Sequence, residues 1–179
     1  MNRISYLSIV VAVVIGFLLI PSSAYSGTPD EKVRIGTFDS RCVAIAYGRS
    51  ASFMEYMHGL RAELKQARES GNETRAKEIE QLGPTSQVLM HQQGFSTGTV
   101  GNIIEKIREK LPRIAEKMNV RLVVSQWEVA HHDPSVELVD LTNELVSLFA
   151  PDAQTLKIIE EIRKSKPIPM EQISLDPRE

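Results

Sequence analysis

Few side chains in this 179-residue chain have types and spacing that could do chemistry. His91, His131, His132 and Asp133 are the candidates for a metal site, because imidazole nitrogens and carboxylates are the ligands zinc and copper accept. Adjacent His131 and His132 would point to opposite faces of a strand, so both reach one ion only through a turn and with help from His91. No recognised ligand spacing is present, so surface or polar-contact histidines are expected and no metal or other cofactor. Ser96 lies in Phe95-Ser96-Thr97-Gly98, which is not the Gly-x-Ser-x-Gly elbow of a hydrolase, and no base is fixed beside it. Gly94, Gly98 and Gly101 follow no strand and carry no Lys-Ser or Lys-Thr end, so they do not read as a phosphate loop. Cys42 is the single cysteine; it cannot form an internal disulfide, and a buried, inert thiol is the expected role. No catalytic residue is expected, and the chain does not read as an enzyme.

The elements that would position any site begin after residue 26. Asn2 and Arg3 give a short positive start, Ile9 to Ile20 is an almost unbroken apolar run, and Ser22, Ala24 and Ser26 are the small residues a signal peptidase reads. The run is short for a span of about 20 residues, and Pro21 sits where a leader turns toward its cleavage site. Residues 1–26 are therefore expected to be a removed signal peptide, with a retained N-terminal anchor as the alternative. The mature chain is expected in the periplasm or otherwise exported, soluble and without a membrane span.

The leader holds one of the 21 basic residues and none of the 23 acidic ones, leaving 20 against 23. A mildly acidic chain lacks the basic face of a nucleic-acid binder and the polybasic patch of a membrane-surface binder. The remaining 153 residues suffice for one domain with its own core.

Val33 to Phe38 alternates as a strand. Asp39 and Ser40 can cap a short helix over Arg41 to Tyr47, although Val43-Ala44-Ile45 would also suit a buried strand. From Ala51, Phe53, Met57, Leu60, Leu64 and Ala67 fall on one helical stripe; Gly71 and Asn72 either interrupt that long helix or are tolerated in it, and Gly83-Pro84 should end it. Thr85 to Gly101 reads as a short return, Ser86 to Gln93, loosening into a flexible elbow. A second amphipathic helix covers Val100 to Met118, kinked at Pro112. Val120 to Val129 and Val136 to Val139 supply two more strands around a turn at His132 to Ser135. Thr142 is a suitable N-cap for a helix through Phe149, with Leu141 and Val146 as its hydrophobic staple. Leu156, Ile159 and Ile162 mark a last helix, and Lys166 to Pro169 an extended tail.

Val33 to Phe38, Val120 to Trp127 and the Asp-x-Thr entry of Asp140-Leu141-Thr142 to a closing helix resemble, behind a leader, the Skp or OmpH-like family of periplasmic chaperones. The resemblance implies an α+β fold: a small, antiparallel-containing β-sheet body with a long helical hairpin inserted between strands, plus C-terminal helices. The implied layout is 27–149 for the body with its arms and 150–179 for a C-terminal helix and tail. It also implies a homo-oligomer, possibly a trimer in the family's manner, that holds unfolded envelope proteins. Phe53, Met54, Met57, Leu60 and Leu64 would be apolar client contacts, with Arg61, Lys65 and Arg68 as a polar rim. Trp127, Asp140 and Thr142 are assigned structural roles. Family arms are basic, whereas Arg61 to Glu80 carries five basic and five acidic residues, so apolar contact should dominate here. An envelope scaffold with one dedicated partner is the alternative reading, and a metal binder or enzyme comes last.

Overall fold

A computed structural model of the chain describes residues 32–173, so the expected leader at 1–26 lies outside the described residues. Three strands form one sheet: β1 (Val33–Phe38), β2 (Leu122–Ser125) and β3 (Val136–Asp140), in the order β2-β1-β3. Both neighbours run parallel to β1, with Ile35 facing Leu122 on one side and Leu138 on the other. This corrects the expected antiparallel-containing sheet. Only ten residues, 126–135, separate β2 from β3, a spacing that reads as a hairpin. The two strands do not pair with each other; each satisfies its backbone on β1, and the short link passes from one side of the central strand to the other.

Five helices lie between β1 and β2. In α1 (Ser40–Gly48), Asp39 caps by accepting from Arg41 N, and Cys42, Val43 and Ala46 are buried, which decides for helix over strand in this stretch. Ser50 caps α2 (Ala51–Glu69) by accepting from Phe53 N. That helix closes in a Schellman motif: Asn72 N donates to Ala67 O at 2.8 Å and Gly71 N to Arg68 O at 3.2 Å, with Gly71 at φ 70°, where a glycine carries no Cβ penalty. Asn72 then caps α3 (Glu73–Phe95).

The long inserted hairpin is also corrected. The expected rods were residues 51–83 and 100–118; of the two readings of Gly71-Asn72 the interruption is the one found, as the chain reverses there, and α3 runs on through Pro84 instead of stopping at it. Gly83 and Pro84 are exposed, as is Glu80, whose carbonyl the proline leaves without a donor, and Thr85 Oγ1 donates to Gln81 O at 3.0 Å. α2 and α3 lie side by side, tied by Arg75–Glu63 at 2.8 Å and Arg68–Glu80 at 2.5 Å. The second expected rod is broken into α4 (Gly101–Ile107), a 3₁₀ turn at Arg108–Lys110 and α5 (Leu111–Lys117), whose first turn holds Pro112. Ile103 and Ile107 turn into the core rather than along α2. The elbow between α3 and α4 is tied down: buried Gln93 donates to Thr99 O and Asn102 Oδ1, both at 2.7 Å.

After β3 come α6 (Thr142–Ser147) and α7 (Ala153–Lys164). Ile159 of α7 joins Phe38, Val43, Ile103, Leu145 and Phe149 in one core, and Ile162 packs against it. The tail docks on the body, with Ile168 N donating to Phe95 O at 2.9 Å and Ile173 buried.

Gly36, central in β1, sits so close to Leu141 that a Cβ there would overlap its Cδ1 and meet Leu122 O at 3.3 Å. Gly36→Ala should cost about 1–3 kcal/mol in urea unfolding by overpacking, and adding Leu141→Val should recover part of that loss.

Candidate functional site

Open parallel sheets receive ligands beyond the carboxyl ends of their strands. Here that place is filled by the chain's own side chains. Asp39, directly after β1, is 2% exposed and accepts from Arg41 Nη2 at 2.7 Å, Arg41 Nε at 3.1 Å and Trp127 Nε1 at 3.3 Å. Arg41, 1% exposed, passes Nη1 to Ser165 O at 3.1 Å and lies 4.9 Å from the centre of the Trp127 ring. Asp39 N donates to Thr142 Oγ1 at 3.0 Å, and Thr142 N donates to Asp140 Oδ1 at 2.8 Å. Thr142 is thus not the N-cap expected of it: Leu141 holds that position, Asp140 takes the helix-end donor, and the hydroxyl is drawn to Asp39. Burial above all, with the Asp39 charge beside it, pushes the Cys42 thiol up to about 12. A small cavity of about 270 Å³ adjoins this network, lined by Phe38, Ser40, Thr99, Ser125 and Arg108 among others.

A larger opening lies elsewhere. The end of α1, the first turns of α2, the last turns of α3 and one face of α4 enclose a groove of about 720 Å³, with Ile158 of α7 on its lining. Its wall is aromatic: the Tyr47 ring meets Phe53 edge-on at 5.2 Å and Phe149 at 5.7 Å, and Phe53 is tilted against Tyr56 at 6.3 Å. Tyr56 is 50% exposed, and Leu89, Met90 and Phe95 are also exposed on the lining. Lys106 Nζ stands 5.4 Å from the Tyr47 ring centre, and Arg49 Nε donates to Thr155 Oγ1 at 3.0 Å. Contiguous exposed aromatics with a methionine are what a surface needs to bury apolar groups of varied shape, since rings give large area at low entropy cost and the thioether adapts.

The residues expected from sequence to contact clients are divided by this geometry. Phe53 lines the groove, while Met54, 46% exposed, is outside its lining. Met57, Leu60 and Leu64 are half-buried along α2. Arg61, Lys65 and Arg68 are exposed, Lys65 beside Glu69 at 3.8 Å and Arg68 on Glu80. Trp127, Asp140 and Thr142 come together around Asp39. Tyr47 reads from the sequence as a core anchor with client contact as the alternative, and it is half-buried on the groove lining; Tyr56, Leu89, Met90 and Lys106 do not stand out in the sequence as contacts, and the adjacent Leu89 and Met90 are the available signal. His91 tilts on Phe95 at 5.7 Å, His131 and His132 are exposed, and among the described residues no three His, Cys, Asp or Glu are grouped to hold a metal ion.

No protein-family model, curated protein or solved structure matches the chain. Among the described residues no helix is long and apolar enough to cross a membrane.

Asp39→Ala would strand the Arg41 guanidinium in the interior, a change that costs about 3–5 kcal/mol for buried pairs. The native Cys42 thiol should resist Ellman's reagent until unfolding, and in Asp39→Ala it should react at markedly lower urea. A thiol that reacts equally fast in both folded proteins would show that Asp39 does not seal this region. The thiol's ordinary value is 9.0, so the unfolded chain ionises first and this group's contribution to stability falls as pH rises from 9.0 toward about 12.

Proposed function

We propose that this is an exported, non-enzymatic polypeptide-binding protein of the cell envelope, a holdase in the manner of Skp-like chaperones, which takes apolar segments of unfolded proteins into the groove. The observation that carries this reading is a groove lined by half-buried Tyr47 and Phe53 together with exposed Tyr56, Leu89 and Met90. Export rests on the leader-like residues 1–26. Anchoring comes from burying client side chains, at about 25 cal/mol for each Å² of apolar surface removed from water. The purified protein in molar excess should slow aggregation of an unfolded outer-membrane β-barrel, and Phe53→Asp combined with Met90→Asp should abolish most of that protection. An unprotected client, or full protection by the double variant, would contradict the reading. Protection of one client and no other would favour a scaffold with a dedicated partner.

The sheet supports self-association as a companion to this role. Strand alternation and register put Val33, Ile35, Leu122, Val124, Val136 and Leu138 on one face, the one opposite Gly36, Phe38 and Val123. Val33 is 53% exposed, Leu122 54% and Leu138 37%. Parallel sheets ordinarily have both faces covered, and a second copy supplies such a cover. Light scattering should return a multiple of the monomer mass, a trimer if the resemblance holds, and Leu122→Lys with Leu138→Lys should reduce it to the monomer. A monomeric unsubstituted protein would contradict self-association.

A further inference from the structure

We propose that the groove selects polypeptide segments in which aromatic or aliphatic side chains are accompanied by a carboxylate side chain; this rests on the polypeptide-binding reading and specifies its ligand. The charges on the groove are one-sided. Arg49 and Lys106 belong to its lining, and no Asp or Glu does. Lys106 is exposed and has the Tyr47 ring beside it, and among the described residues it takes part in no ion pair. Arg49 commits Nε to Thr155 and feels the charge of Asp152, whose carboxylate accepts from Thr155 N at 2.7 Å, so Lys106 is the less compensated cation.

The asymmetry is local. The chain is formally −2, and the far ends of α2 and α3 neutralise themselves through Arg68–Glu80 and Arg75–Glu63. A cation beside an apolar wall keeps more of its Coulomb attraction than one facing open water, because the wall lowers the local dielectric. A segment that seats apolar side chains against Phe53 and Met90 would bring a neighbouring carboxylate to Lys106. A lysine in the same place would be repelled, which adds discrimination to attraction.

The test uses three fluorescein-labelled peptides rich in Phe and Leu, identical except for Glu, Gln or Lys at one position, titrated against the full chain by fluorescence anisotropy. The Glu peptide should bind about threefold to fivefold more tightly than the Gln peptide, as befits a partly exposed ion pair, and the Lys peptide should be weakest. High salt should narrow the spread. In Lys106→Gln the Glu-to-Gln affinity ratio should fall toward one. Equal binding of the Glu and Gln peptides, or a ratio that Lys106→Gln leaves in place, would overturn the charge preference while leaving polypeptide capture standing. Failure of all three peptides to bind, together with no protection of the unfolded barrel, would remove both.

Discussion

The carboxylate of Asp39 holds together parts of the chain that the backbone leaves far apart. It receives the side chain of Arg41 from α1 and the indole of Trp127 from beyond β2, while its own backbone N–H reaches the hydroxyl that opens α6. Through Arg41 the connection extends to Ser165, where α7 ends. A buried ion pair of this kind contributes little more to stability than well-packed apolar groups would, because each charge must first leave water. Its effect is directional: the fork of the guanidinium fits only one placement of Asp39 and Ser165, so the closing helix and the start of the tail are set by it. α7 in turn provides Ile158 to the groove and the Thr155 hydroxyl that holds Arg49. The groove's shape therefore follows from a network that is not part of it.

This arrangement explains why the larger groove is displaced from the usual ligand place of a parallel sheet. Arg41 and the largely buried first two turns of α1 occupy space past the end of β1, and the small cavity beside Ser40 lies there with them. The accessible apolar surface appears instead where α2 and α3 reach the body. Ala67 is the one buried residue of α2, and Ala76 and Ile79 are its counterparts near the turn of α3. Small side chains bring the two helices close at their outer end. The larger Phe53, Leu89 and Met90 line the groove at the base, where side chains of this size leave an opening rather than a seam.

Much of the local structure was legible. Val33 to Phe38 alternates as β1 does, Asp39 and Ser50 stand where helices begin, and Pro112 falls where the α4–α5 segment is broken. Strand direction was not legible, because a period of two is the same for parallel and antiparallel neighbours, and the short 126–135 link suggested a pairing that β1 preempts. Gly71-Asn72 could be read as an interruption or as tolerated within one helix, and it is the reversal; the stop read at Gly83-Pro84 is not there, since an exposed proline in a long helix is carried by the turns on either side. At Thr142 the residue was right and the role was not, as its partner Asp39 is 103 residues away. The groove was the least visible feature: amphipathic stripes mark what is apolar, and only the tertiary arrangement of Tyr47, Phe53, Met90 and Lys106 determines which of it stays uncovered.

The role proposed for this groove is to hold other polypeptides. Amide hydrogen exchange, followed with and without a saturating unfolded outer-membrane β-barrel, tests it most directly. Slowed exchange concentrated at the end of α1, the first turns of α2, the last turns of α3 and α4 is the predicted result. Slowed exchange confined to the tail or to the outer ends of α2 and α3, with those segments unchanged, would contradict it.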